Sequence, residues 1–138
     1  MAKIERTFLL IKPEWVEQGH IGEILARFER RGFKIVALKL TQMSRELAEK
    51  QYAAHRGKDF FEDVVAYISS APTVPLVIEG EHAIRVAREM IGATDPKLAE
   101  PGTIRADYGI DVQRNVIHAS DSAESAKREI ALHFDYCR

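Results

Sequence analysis

The sequence predicts an α/β fold, a ferredoxin-like α/β sandwich of the split βαβ kind with a four-stranded antiparallel sheet covered by helices. Three observations predict it. Apolar runs of strand length alternate with segments whose apolar residues recur at helical spacing. The elements then read β-α-β-α-α-β-α-loop-β-α, so strands and helices share one sheet. Finally, 138 residues without an internal repeat, low-complexity tract or Gly/Ser linker fit a single domain, 1–138, with a core of its own.

Taken in order, Thr7-Phe8-Leu9-Leu10-Ile11 is a continuous apolar run and predicts a central strand buried on both faces. It stops at Lys12-Pro13, where proline removes a ladder donor. Ile21, Ile24, Leu25 and Phe28 fall at i, i+3, i+4 and i+7, a helix for which Gly32 supplies the stop. Phe33 to Leu40 is a second strand. Ser44 caps a short helix carrying Leu47, Ala48 and Tyr52, and a further helix carries Phe61, Val64, Val65 and Ile68 before Ala71-Pro72. Val74 to Glu79 is a third strand, whose Pro75 places its start at an edge or a bulge. Ala83, Ala87, Met90 and Ile91 form another amphipathic helix, ended by Gly92.

From about Gly92 to Arg114 neither period holds. Loops of this length are usually functional or disordered. Thr94, Pro96, Pro101-Gly102, Arg105 and Asp107 supply many turn residues, which predicts an ordered functional loop. Val116 and Ile117 are β-branched and suit a short buried strand that ends by presenting His118. Asp121 with Glu124 three residues on predicts the cap of a last helix, which buries Ala123, Ala126, Ile130 and Phe134. Glu129 lies beside that stripe and can lean back toward His118.

Composition narrows the function classes. A net charge of −1 carries no nucleic-acid footprint and no attraction to an anionic membrane surface. The single cysteine, Cys137, cannot pair within the chain or build a zinc site alone. The apolar runs are too short to span a bilayer, and Met1–Arg6 lacks the hydrophobic region of a signal peptide. The expectation is a cytoplasmic location without membrane partners.

No phosphate-cradling glycine loop is present, neither G-x-x-x-x-G-K-(S/T) nor G-x-G-x-x-G. If the chain holds phosphates, its side chains must do so. Lys12 sits at the end of the first strand, where α/β sheets commonly place ligand contacts. Arg88 and Arg105 can fork onto one phosphate together, or be surface ion-pair partners of little energy. Tyr52 and Phe60 fit core packing, or can offer a ring or hydroxyl to a ligand. His118 alone fits a surface or satisfied core histidine; with Glu129 to fix its tautomer it fits a nucleophile and its orienting group.

Together these residues resemble the nucleoside diphosphate kinase family over essentially the whole chain. The matching stretches are Arg6-Thr7-Phe8, Ile11-Lys12-Pro13, Gly22-Glu23-Ile24, Arg27-Phe28-Glu29, Gly32-Phe33, Phe60-Phe61, Gly92-Ala93-Thr94-Asp95-Pro96 and Pro101-Gly102-Thr103-Ile104-Arg105. The most specific is Asn115-Val116-Ile117-His118-Ala119-Ser120-Asp121-Ser122, the family's active-site signature N-x-x-H-(G/A)-S-D-(S/A).

The resemblance implies transfer of the γ-phosphate of a nucleoside triphosphate such as ATP to a nucleoside diphosphate, in two ping-pong steps through a phosphohistidine. It puts His118 at the nucleophile's place, Glu129 at the carboxylate that holds the imidazole, and Ser120 at the supporting hydroxyl. Lys12 and Tyr52 match residues near the transferred phosphoryl, and Arg88, Thr94 and Arg105 match residues on the inner phosphates. Asn115 and Lys12 would contact the ribose hydroxyls, with Phe60 on one face of the base and Val112 on the other. Mg²⁺ would be held largely by the nucleotide. Partners would be nucleoside di- and triphosphates and further copies of the chain, a hexamer first and a tetramer next.

Some positions depart from the family pattern. Pro13 is followed by Glu14-Trp15 where an aspartate and a small residue are usual; Lys58 replaces a common arginine and Ala71 a common glycine. The short stretch after Phe134 bears on assembly, as does a disulfide between copies at Cys137. Two other readings compete: a non-catalytic domain of the same fold that binds a nucleotide and signals by association, and a weak nucleic-acid activity based on Lys34, Lys39 and the arginines of the first helix.

Overall fold

The computed structural model describes residues 3–134. Strand β1 (Ile4–Ile11) runs through the middle of the molecule, followed by α1 (Pro13–Glu17), α2 (Ile21–Arg30) and β2 (Lys34–Leu38). Helices α3 (Arg45–Gln51) and α4 (Phe61–Ile68) lead to β3 (Val74–Glu81) and α5 (Ala83–Ile91). Then come α6 (Ile104–Tyr108), β4 (Ile117–Ala119) and α7 (Ala123–His133), with short 3₁₀ turns at Ala53–His55 and Pro96–Leu98. The sheet order is β2-β3-β1-β4 with every pairing antiparallel, the four-stranded α/β arrangement expected.

Alternation along β1 explains why helices pack on both faces. Leu9 and Ile11, with Leu76 and Ile78 of β3, meet Ile24, Phe28, Ala87 and Ile91 of α2 and α5. Phe8 and Leu10 point the other way, with Val77, into Ala48, Val65, Ile68 and Ile130 of α3, α4 and α7. Residues Thr7 to Ile11 are fully buried, as their continuous apolar run requires. Among the described residues no helix is long and apolar enough to cross a membrane.

Several expectations are corrected. Pro13 does not only end β1 but starts α1, a helix absent from the expected order: proline at the first helical position has no orphan donor to lose. Strand β2 is shorter than expected and shifts register between Ile35 and Ala37. Pro75 lies in an internal strand, not at an edge or a bulge. The amide it lacks would face Lys39, just past the end of β2, and Lys39 N–H still donates to the Pro75 carbonyl at 3.2 Å. The 92–114 segment is ordered, as expected, but contains a 3₁₀ turn and α6, both too short to show a period.

The start of α7 is also different. Its cap is Ser122, whose Oγ accepts from the Ser125 amide at 3.0 Å, and not Asp121; Ala123 in the first turn is exposed. Ser122→Ala should therefore cost about 1 kcal/mol of stability, within the usual range for a lost cap. Urea titration checks this, and no shift in midpoint would mean that the hydroxyl does not cap the helix.

Candidate active site

The candidate site forms where the C-terminal end of β1 meets β4 and the 92–114 loop. His118 is in the middle of β4, opposite Leu10, and not at the strand's end. The turn before it is strained. Val116 has φ +81°, unfavourable for a β-branched residue, and the Ile117 amide donates to the Asn115 carbonyl at 3.0 Å across it. That bond from i+2 to i closes a γ-turn of the φ-positive kind, which needs its surroundings to hold it. Val116 is fully buried, and its carbonyl accepts from the Lys12 amide at 2.9 Å. The tight turn leaves Asn115 beside Lys12 and starts β4 at once, so it is no strand residue.

A cleft of about 640 Å³ opens here. Lys12, Tyr52, Phe60, Arg88 and Thr94 line it, as do Arg105, Val112, Asn115, His118 and Glu129. Ser120 does not reach the cleft. It is buried behind it, where its hydroxyl donates to Glu129 Oε1 at 2.5 Å.

Glu129 is buried on α7, with its oxygens 3.1 and 2.9 Å from His118 Nε2. Burial alone would push its carboxyl up. The hydrogen bond and charge of His118, with donors on Ser120 and Gln51, outweigh this and hold it below the usual range. A carboxylate can only accept, so Nε2 carries the proton and the free lone pair is on Nδ1. Nδ1 has no partner among the described residues. The Tyr52 ring meets the His118 ring edge-on at 6.1 Å, and burial followed by the Glu129 charge raises its hydroxyl, which stays a phenol.

The cations are held by the backbone. Arg105 donates from Nε to the Asn115 carbonyl (3.1 Å) and from its two terminal nitrogens to Gly92 (3.1 Å) and Ile117 (2.8 Å). A guanidinium has five N–H groups, so two remain for a ligand. Burial and the adjacent Arg88 lower Arg105 to about 10, still charged at neutral pH. Arg88 donates to the Ala119 carbonyl at 3.2 Å.

Lys12 donates to Asn115 Oδ1 (2.7 Å) and to the Gln113 carbonyl (3.1 Å), and Asn115 Nδ2 donates to the Thr94 carbonyl at 3.0 Å. Asn115 is thus buried and chiefly clamps Lys12 to the loop. Burial, and then the Arg105 charge, lower the Lys12 ammonium to about 7. Phe60 (44% exposed) and Val112 (56%) leave large apolar surfaces open on the cleft wall.

Other residues of the site carry no motif in the sequence. Gln51 is buried and donates to Glu129 Oε2 at 2.8 Å. Its signal was a polar residue three after Ala48, on the buried stripe of α3. Tyr67, Gln113 and Arg128 also line the cleft. Tyr67 O–H donates to Glu14, which gives the unusual glutamate a local partner. Trp15 is buried, and its Nε1 donates to the Tyr108 carbonyl at 3.1 Å, a packing role within the chain.

A model of the nucleoside diphosphate kinase family matches residues 5–138. The chain belongs to the nucleoside diphosphate kinase family. A nucleoside diphosphate kinase from Pelotomaculum thermopropionicum is 63% identical over 131 residues, covering 95% of this chain and 88% of that protein. One from Saccharolobus islandicus is 58% identical over 96% of each chain. Among solved structures, the Aquifex aeolicus nucleoside diphosphate kinase superposes with a TM-score of 0.93 at 46% identity, covering 96% of each chain. A halophilic family member from Halobacterium salinarum, solved in complex with CDP, gives the same TM-score and identity over 96% of this chain and 89% of that one. The protein is accordingly a phosphotransferase with nucleoside diphosphate kinase activity.

Proposed function

We propose that the cleft moves a γ-phosphoryl group between nucleotides through a phosphohistidine at His118 Nδ1. The observation that carries this is the pairing of Nε2 with the buried Glu129 carboxylate, which leaves Nδ1 as the nucleophilic nitrogen. In the first half-reaction the Nδ1 lone pair attacks the γ-phosphorus. The bond to the bridging oxygen breaks, and the nucleoside diphosphate leaves with its electron pair. In the second, a terminal oxygen of another nucleoside diphosphate attacks the phosphorus, and the N–P bond breaks to restore the lone pair. Nε2–H stays on the ring throughout, and Glu129 stabilises the charge the ring gains.

Phosphoryl transfer needs charge neutralisation and alignment more than covalent help. Lys12, Tyr52, Arg88, Thr94 and Arg105 are read as the phosphate contacts, and Asn115 with Lys12 as the ribose contacts. Phe60 and Val112 are read as the two sides of the base, gripping it by its faces regardless of identity. Among the described residues no cluster of three or more His, Cys, Asp or Glu side chains suits a metal, while several cations line the cleft. That donor set fits Mg²⁺ carried in on the nucleotide's own phosphates. When bound there it would neutralise phosphate charge.

Protein mixed with γ-labelled ATP and no acceptor should keep the label, and a nucleoside diphosphate should remove it. A phosphoramidate survives base and is lost in acid. An acid-stable label mapping to Ser120 or Ser122 would overturn the assignment.

Lys12 gives the reaction a pH signature. Only the ammonium attracts phosphate, and its fraction in the free protein falls above about 7. The apparent Kd for ADP should therefore rise on the alkaline side, by at most about tenfold per pH unit, because Arg88 and Arg105 still hold phosphate when Lys12 is neutral. Stability moves the opposite way. The unfolded chain keeps its Lys12 proton up to about 10.4, so folding gains as pH rises from about 7 towards that value. Calorimetric titration with ADP checks the first effect, and Lys12→Arg should flatten it.

For assembly we infer a homo-oligomer, a hexamer first and a tetramer second. The open edge of β2 and the exposed Ile4, Leu38 and Leu40 support burial between copies. Light scattering that finds a monomer at micromolar concentration would overturn this. The Cys137 disulfide lies outside the described residues. A cytoplasmic location is read from the single cysteine.

A further inference from the structure

The polar chain behind the candidate nucleophile continues past Glu129. Gln51 at the end of α3 and His133 at the end of α7 are both buried, and Gln51 Oε1 lies 2.7 Å from His133 Nε2. Gln51 Nε2 donates to Glu129 Oε2 at 2.8 Å and lies 3.4 Å from His118 Nε2. Glu129 and His133 are four residues apart on α7, so they share one face, and Gln51 bridges them from α3.

Only one arrangement of donors satisfies this chain. A flipped Gln51 amide would point its carbonyl at the Glu129 carboxylate, acceptor against acceptor. The NH₂ must therefore face Glu129, the carbonyl must face His133, and His133 must donate from Nε2–H. His133 Nδ1 is then a bare acceptor, buried with no partner among the described residues. The groups around the ring favour this neutral form. Phe8 of β1 stacks on it at 4.6 Å, and Lys39 donates to the His133 carbonyl at 2.6 Å. Burial and the Lys39 charge, opposed by Glu129 and reinforced by His118, lower the ring to about 4.

We propose that His133 is a positioning residue for phosphoryl transfer, acting through Gln51 to hold the Glu129 carboxylate against His118. The proposal rests on the reading of His118 as nucleophile. Ser120 holds one Glu129 oxygen and Gln51 the other, so the carboxylate cannot swing as the imidazole gains charge. Glu129 selects the orientation of the Gln51 amide. His133 Nε2–H then holds the carbonyl end, so the amide is fixed at both ends and keeps its N–H on Glu129. The buried orphan Nδ1 is a cost at this site, and the Nε2–H bond to the Gln51 carbonyl is what the ring supplies against it.

The test is the single-turnover rate of label uptake from γ-labelled ATP, together with ADP affinity and thermal stability. His133→Phe keeps the ring on Phe8 and removes the orphan nitrogen but leaves the buried Gln51 carbonyl without its donor, so the two effects oppose and its Tm should change little. Its uptake rate should fall roughly 10-fold, at the low end of losses for outer partners of a fixed ligand, with ADP affinity unchanged. Gln51→Met, similar in volume but without an amide, should lose as much or more. The double variant should be no slower than Gln51→Met, because both changes cut one chain. A labelled wild type with His133→Phe at the same rate would overturn this proposal alone, as would fully additive losses in the double variant. A wild type that takes up no label would overturn the nucleophile reading and this proposal with it. If His133→Phe fails to fold, Gln51→Met at the wild-type rate would still overturn it.

Discussion

Replacing His118 with asparagine should lower turnover by about 10⁶-fold, the scale seen when a covalent nucleophile is removed. The side chain is only partly exposed, and Ser120 and Gln51 still donate to Glu129 without it, so the fold should survive. ADP affinity should stay close to wild type, because Lys12, Arg88, Arg105 and Phe60 are untouched. Steady-state turnover beside calorimetric ADP titration separates the two. Retention of full phosphotransfer would place the nucleophile elsewhere. Glu129→Gln should be milder, with label uptake about 10²-fold slower, because a neutral amide stabilises the charged ring less than a carboxylate does.

Arg105→Ala should have the second largest effect, and on two quantities together. Three backbone carbonyls, of Gly92, Asn115 and Ile117, lose a charged donor at once. Stability should fall by about 3–5 kcal/mol, the class of loss for a broken partly buried network. ADP binding should weaken as well, because the two remaining guanidinium N–H groups go with the side chain. Arg105→Lys restores charge but cannot span three carbonyls with one ammonium, so most of the stability loss should persist. Thermal unfolding and ADP titration of both variants read these effects. A Tm unchanged in Arg105→Ala would mean that the loop does not depend on this fork.

Much of the fold was legible because its signals are local. The apolar run at 7–11, the stripe Ile21-Ile24-Leu25-Phe28 and the stop at Gly32, where φ is +101°, all form what their patterns predict. Short elements were less legible, since α1 and α6 have five residues each and show barely one turn of periodicity. Val116 misled because its composition says strand while the turn at Asn115–Ile117 imposes a positive φ on it. Ser122 and Asp121 are both good caps, and only coordinates show which oxygen meets the Ser125 amide.

The candidate site was legible through its signature octapeptide and the stretches around it. Gln51 and His133 were not, because a glutamine and a histidine joined over 82 positions leave no local pattern.

The antiparallel pairing of β4 with β1 has a consequence for how the protein is made. Lys12 bonds Asn115 across 103 positions, and Ser120 reaches Phe8 across 112. A nascent chain extended as far as α6 already carries Lys12, Arg88 and Arg105, but its central strand has an open edge where β4 belongs. That edge is apolar and unpaired until β4 arrives, so an incomplete chain presents a sticky surface and a collection of cations without His118. Such long-range pairing closes slowly relative to helix formation. Phosphotransfer in a translation extract should accordingly lag the appearance of helical structure, and ribosome-stalled chains cut before β4 should be captured by holding chaperones that ignore the released protein.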